Sequence, residues 1–249
     1  MELLDILNYF VACYFGLMLG NFATSFYFRI PKNIPLLGFN YFTSTPPHCS
    51  YCNHLLKLKE FAPIIGYWLC KGRCNYCGAK IDANYFVIEV FALFLSLFCY
   101  FHFYFLDWYL IFILFGISSL IISMLFSKLQ KIDMKFMLFI LFLGIIYSTL
   151  INLTIYNWVF KASISSVIAT FLMHARYKYH FSSKYYDICK ILFTALIWFD
   201  LNSMIPYALF ILANYALLRR YNFSFSKHVH NYSYFIMFLF SIINHLVVV

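Results

Sequence analysis

CSYCNHLLKLKEFAPIIGYWLCKGRCNYC, residues 49–77, carries two C-x-x-C pairs, Cys49/Cys52 and Cys74/Cys77, with 21 residues between them. Each pair offers two thiolates from one tight turn, and four thiolates complete a closed tetrahedral shell around Zn²⁺. Deprotonated sulfur is a soft anionic ligand, which favours zinc over magnesium or calcium. Gly72, Asn75 and Gly78 supply the turn residues such a site needs. Two disulfides in an exported loop are the competing reading, so the side of the membrane on which the loop lies decides between them. His48, His54 and Cys70 are the rival ligands nearby, but none sits in a C-x-x-C pair. Cys13, Cys99 and Cys189 fall in apolar runs and read as small core fillers.

Outward from this loop the chain is apolar. Of 249 residues 64% are hydrophobic and 11% charged, and the mean hydropathy is +0.79. This is the composition of an all-α polytopic membrane protein. About eight spans are expected, near 6–28, 85–106, 108–126, 136–153, 159–174, 187–202, 204–218 and 232–249. The fifth to seventh are the shortest runs and contain Lys161, Lys190 and Pro206. The N-terminus MELLDILNYF is acidic where a signal peptide would be basic, so the first segment is read as a retained helix. The expected organisation is a first helix (1–28), a four-cysteine loop (29–84) and a bundle of about seven helices (85–249).

Charge sets the topology. Arg29, Lys32, Lys57, Lys59, Lys71, Arg73 and Lys80 occupy the first loop; Lys128, Lys131 and Lys135 the next basic one. Arg176, Lys178 and Lys184 follow, then Arg219, Arg220 and Lys227, while the intervening connections near Asp107, Asn157 and Asp200 carry almost no cations. The positive-inside rule then places the basic loops in the cytoplasm, where cysteines stay reduced and bind metal. The net charge of +9 is accounted for by this pattern, and its dispersal between spans argues against nucleic-acid binding.

The motifs around the cysteines resemble the type IV prepilin peptidases, also called prepilin leader peptidase/N-methyltransferases. LGNFATSFYFRIP (19–31) is similar to the family's first-span segment, and FAPIIGYWLCKGRCNYCGAKID (61–82) to its Arg-Gly-Arg-Cys-x-x-Cys-Gly stretch. Glu89 in YFVIEV matches a Pro-Leu-Val-Glu motif that opens the second span. The resemblance covers residues 14–95 and implies a bacterial inner-membrane protein with eight spans. It also implies cleavage of type IV prepilin or pseudopilin leaders at the cytoplasmic face. Methylation of the new N-terminus with S-adenosylmethionine would follow, so the partners are the bilayer and the N-terminal helix of a prepilin.

Cleavage in this family uses two aspartates, a carboxylate pair of the kind that activates water and polarises a carbonyl. Here the first position falls on Leu125, if Ile132-Asp133 in SMLFSKLQKIDMKF aligns with the family's Pro-Asp. The second falls on Ile188 in YYDICKILFTALIW, and both glycines of that motif are replaced. Asp133 and Asp187 are the nearest carboxylates, but a one-residue slide turns a helical side chain by about 100°. The expectation is a family scaffold with a zinc loop and without aspartyl cleavage. The alternatives are a divergent active peptidase using Asp133 and Asp187, or a protein retaining only methyl transfer. Glu60 and Asp82 are expected to be solvated in the loop. Glu89 is expected either to reach the interface or a cation, or to hold a structural or methylation role. No internal repeat is evident in the sequence.

Overall fold

A computed structural model describes residues 3–34, 46–103, 106–129, 134–150, 190–192, 194–195, 198–199, 201–221, 228–229 and 231–248. Its main elements are α1 (Leu3–Arg29), α2 (Leu58–Phe61), α3 (Ile65–Leu69), α4 (Ala83–His102), α5 (Leu106–Leu129), α6 (Met134–Leu150), α7 (Leu201–Tyr221) and α8 (Ser233–Val248). Among the described residues there is no strand, only the isolated bridges His48–Leu55 and Arg73–Lys80.

Among the described residues, three helical stretches are long and apolar enough to cross a membrane: Ile6–Lys32, Ala83–His102 and Asp107–Leu129. They fall on the expected spans 6–28, 85–106 and 108–126. Shorter apolar helices, Met137–Tyr147, Ile205–Leu217 and Ser233–Ile243, fall on 136–153, 204–218 and 232–249. The expected span 159–174 lies outside the described residues, as do 187–189, 193, 196–197 and 200 of the expected span 187–202. Helix boundaries have local causes. Pro31 closes α1 into one 3-10 turn, and Asn33 takes a left-handed conformation (φ 54°) with its N–H on the Ile30 carbonyl. Asp82 starts α4 by accepting the Asn84 N–H at 3.0 Å.

The chain divides into two compact units, Met1–Ile117 and Ser118–Val249. In the first, α1 and α4 run antiparallel and pack closely. Gly16 and Gly20, one turn apart, face small residues of α4. A Cβ on Gly16 would lie 2.7 Å from the Ser96 Cβ and 2.9 Å from the Ala92 carbonyl oxygen. A Cβ on Gly20 would lie 3.0 Å from the Glu89 Cα. Such small-residue stripes let apolar helices approach where lipid supplies no hydrophobic drive. Ser96 then donates to the Ala12 carbonyl at 2.6 Å and shares a hydrogen bond of 2.7 Å with the Tyr109 hydroxyl. The outer faces carry Phe10, Tyr14, Phe22 and Phe94, all exposed apolar side chains suited to lipid. Gly16→Leu is therefore expected to separate the pair at a cost of at least about 1–3 kcal/mol, seen as a lower Tm in detergent.

The second unit is built on buried aromatics. Trp198 donates its indole N–H to the Ile140 carbonyl at 3.1 Å, and Tyr147 stacks on it at 5.1 Å between centroids. The Tyr147 hydroxyl meets His245 Nδ1 at 3.3 Å. Tyr207 of α7 is fully buried and donates to the Ser233 carbonyl at the start of α8, at 3.2 Å. Ser123 of α5 donates to the Ser119 carbonyl at 2.7 Å and accepts the Phe235 N–H at 3.2 Å. Such pairings satisfy these particular polar groups inside an apolar bundle, where water does not reach them.

Candidate metal centre

The two C-x-x-C pairs fold as near copies of one another. Cys49 donates its N–H to the His54 carbonyl (2.9 Å) and Cys74 to the Ala79 carbonyl (2.8 Å). The Cys49 carbonyl accepts from Asn53 (3.1 Å), and that of Cys74 from Gly78 (2.9 Å). Outside these, Leu56 donates to Pro47 and Ile81 to Gly72, each closing a ring of the same length. The bridges His48–Leu55 and Arg73–Lys80 complete the correspondence. The repeat lies mainly in the backbone: only the cysteines, a tyrosine before the second of each pair (Tyr51 and Tyr76) and one left-handed position are common to both halves. That position is Asn53 (φ 56°) in the first knuckle and Gly78 (φ 70°) in the second. A Cβ on Gly78 would meet nothing within 4 Å, so only its backbone conformation opposes a side chain. Gly78→Ala is expected to cost about 1 kcal/mol, a weakening of metal binding of about fivefold by competitive chelation, with Gly78→Asn milder.

The knuckles bring four sulfurs together, all within 4.8 Å of one another. The shortest pairs join one knuckle to the other, Cys49–Cys77 at 3.9 Å and Cys52–Cys74 at 4.0 Å. A disulfide needs sulfurs about 2.05 Å apart, whereas a tetrahedral ion with metal–sulfur bonds of about 2.3 Å needs edges of about 3.8 Å. All four are free thiols. The geometry suits a metal ion and not two disulfides.

The electrostatics agree. The Cys74 thiol is drawn down to about 7 because backbone N–H groups of Cys77 and Tyr76 point at its sulfur. The His54 N–H favours the Cys52 thiolate, yet desolvation and the sulfurs of Cys77, Cys49 and Cys74 outweigh it and push Cys52 up to about 11. The cluster readily carries its first negative charge and resists the last, which is the demand a bound cation meets. Cys49 and Cys74 are buried, and Cys52 and Cys77 face solvent.

The rivals are engaged elsewhere. Cys70 is buried and accepts from Asn75 Nδ2 at 3.4 Å; burial raises its thiol pKa. His48 Nδ1 donates to the Pro46 carbonyl at 2.9 Å, and the His54 ring lies tilted against Tyr76 at 3.4 Å between centroids.

Three carboxylates have structural partners that the sequence does not reveal. Glu60, expected to be solvated, accepts from the Lys57 N–H (2.8 Å) and Asn75 Nδ2 (2.9 Å), which hold its carboxyl below the usual range. Asp82, also expected to be solvated, caps α4 and accepts from the Tyr27 hydroxyl at 3.2 Å, with Asn84 Nδ2 donating to the same hydroxyl at 2.9 Å. Glu89 is buried on α4 and accepts the Ile64 N–H at 2.7 Å. Ile64 is the centre of a tight three-residue turn, φ 62° and ψ −54°, closed by the Ile65 N–H on the Pro63 carbonyl at 2.6 Å. A β-branched residue in that region is strained. Glu89 thus joins the loop between the two knuckles to the second apolar helix.

Of the positions the resemblance associates with cleavage, Leu125 lies on α5 and is fully buried. Asp133, Asp187 and Ile188 lie outside the described residues.

A family model for the Bacterial Peptidase A24 N-terminal domain matches residues 14–103, the stretch containing α1, both knuckles and α4. Through that segment the chain resembles the type IV prepilin peptidases. It is 28% identical over 119 residues to the prepilin leader peptidase/N-methyltransferase of Dichelobacter nodosus, 39% of this chain and 41% of that protein. It is 29% identical over 77 residues to the Vibrio cholerae enzyme of the same name, 30% of each chain. The Bacillus subtilis enzyme is 30% identical over 76 residues, 30% of this chain and 28% of the relative. Each match therefore spans less than half of these curated relatives. No solved structure matches. The matched segment lies within the first compact unit, Met1–Ile117, and contains the four cysteines.

Proposed function

We propose that this chain is an inner-membrane member of the prepilin peptidase family that holds one zinc ion in a cytoplasmic knuckle loop. It engages the N-terminal helix of a type IV prepilin or pseudopilin and performs no aspartyl cleavage. The observation that carries the last point is Leu125, fully buried on α5 at the position the family resemblance assigns to the first aspartate. A leucine neither binds water nor transfers a proton, and Ile188 at the second position is equally inert. The topology supporting this reading has about eight spans with every basic loop on the cytoplasmic side, and the organisation 1–28, 29–84 and 85–249.

Cys49, Cys52, Cys74 and Cys77 would hold the zinc. Bound there, the ion supplies a structural cross-link and no open coordination position. The chain's own residues hold the loop to the membrane helices through Glu89 and Ile64, and through Tyr27, Asp82 and Asn84. S-adenosylmethionine enters only if methyl transfer is retained, and the described residues offer no residue set that we assign to it.

A cleavage assay in membranes with a cognate prepilin is expected to give no mature product. A product that disappears on Asp133→Ala or Asp187→Ala would overturn the reading and establish a displaced acid pair. Transfer of a labelled methyl group to a pre-cleaved pilin, without cleavage, would select a methyltransferase.

A further inference from the structure

We infer that residues 58–69, the α2–α3 segment between the two knuckles, form a re-entrant keel whose partner is anionic phospholipid in the leaflet beside the cysteine loop. The inference goes beyond the proposed function and rests on that reading only in that α4 spans the bilayer.

Three observations carry it. The first is level. α4 has 20 residues, about 30 Å of helix, which matches a hydrocarbon core of about 30 Å. Its start is marked as the polar boundary by the hydrogen-bonded group of Tyr27, Asp82 and Asn84. The keel meets α4 further in. Tyr67 stacks on Phe86 at 5.2 Å, Trp68 meets the same ring at 6.3 Å, and the Ile64 N–H reaches Glu89. Phe86 and Glu89 lie three and six residues past Ala83, about 4.5 and 9 Å along the axis.

The second is the outward surface. Leu58, Ile65, Trp68 and Leu69 are 78%, 61%, 70% and 61% exposed, a costly arrangement in water and a normal one against acyl chains. Exposed Lys57, Lys71 and Arg73 bracket them, exposed Lys59 follows Leu58 near the start of the segment, and Glu60 is the one acidic residue from 57 to 73. Apolar side chains flanked by cations match an anionic headgroup layer over hydrocarbon.

The third is the backbone. A non-helical segment survives at membrane depth only if its polar groups are satisfied within the protein. Gly66 donates to Ala62, Ile65 to Pro63, Trp68 to Ile64, Cys70 to Gly66 and Gly72 to Tyr67. Pro63 has no N–H to satisfy, and the Ile64 N–H is taken by Glu89. Gly66 allows the tight fold, since a Cβ there would lie 2.5 Å from the Glu60 carbonyl oxygen.

The test uses the purified full chain in vesicles of phosphatidylethanolamine and phosphatidylglycerol, with p-benzoylphenylalanine placed at Ile65 or at Phe94 on the exposed face of α4. Lipid adducts at both positions, reduced at Ile65 by the pair Lys71→Glu and Arg73→Glu, are the expected result. A lipid adduct at Phe94 with none at Ile65, or an Ile65 adduct to a second copy of the chain, overturns the keel and leaves the spans standing. No lipid adduct at Phe94 overturns the membrane reading of α4 and the keel with it. Brominated lipid gives a second measurement without the bulky probe. Emission of the unaltered chain minus that of Trp68→Phe should lose most of its intensity, and an unquenched difference overturns the inference.

Discussion

Cys74→Ser is expected to take bound zinc from about one ion per chain to almost none, measured by elemental analysis of the purified protein. Cys74 is the sulfur toward which the Cys77 and Tyr76 N–H groups converge, an environment that favours its thiolate. Serine keeps the size and loses the soft anionic donor. Structural zinc sites contribute about 10–16 kcal/mol of apparent binding free energy, so loss of one ligand should also open the two knuckles to proteolysis. Cys70→Ser provides the contrast: its sulfur lies outside the group of four, and the metal content should hold. If Cys74→Ser retains a full equivalent of zinc while Cys70→Ser loses it, the ligand set is wrong.

Glu89→Leu is expected to be the most damaging single change in the apolar part of the first unit. It removes the acceptor of the Ile64 N–H, and an orphaned buried donor costs about 1–3 kcal/mol. It also releases a turn whose backbone strain is worth about another 1–3 kcal/mol. The two act on the same few residues, so the loop should detach locally before the helices separate. Protease cutting between residues 58 and 69 in detergent should accelerate while metal content stays near one ion per chain. Glu89→Gln keeps a carbonyl acceptor of the same reach and should restore most of the protection. Equal protection of the unaltered chain and both variants would show that the hydrogen bond holds nothing.

The four-cysteine cluster was legible because its members announce themselves by spacing: two short C-x-x-C pairs, whose sulfurs the fold brings together. The first three apolar helices were legible because crossing a bilayer needs a minimum apolar length, which a run such as Leu106–Leu129 meets. What stayed hidden depends on pairings across the chain. Gly16 and Gly20 are an ordinary-looking spacing until Ala92 and Ser96 are set against them. The carboxylates of Glu60 and Asp82 read as solvated because their acceptor roles are filled by Asn75 and Tyr27, far away in sequence. Glu89 was visible as a charge in an apolar run, but its partner is a backbone N–H, and no pattern of side chains encodes that.

The doubled knuckle has a consequence for how this region acquires its structure. Each half is closed by bonds spanning fewer than ten residues, such as Leu56 to Pro47 and Ile81 to Gly72. Both can therefore assemble from local chain alone, at small entropic cost. A single encounter then remains, between partners 25 positions apart (Cys49 and Cys74), and the closure penalty grows only with the logarithm of that separation. An ion captured by either half would turn the search for the other into a tethered one, so synthesis of the next membrane helix need not be complete before this step occurs.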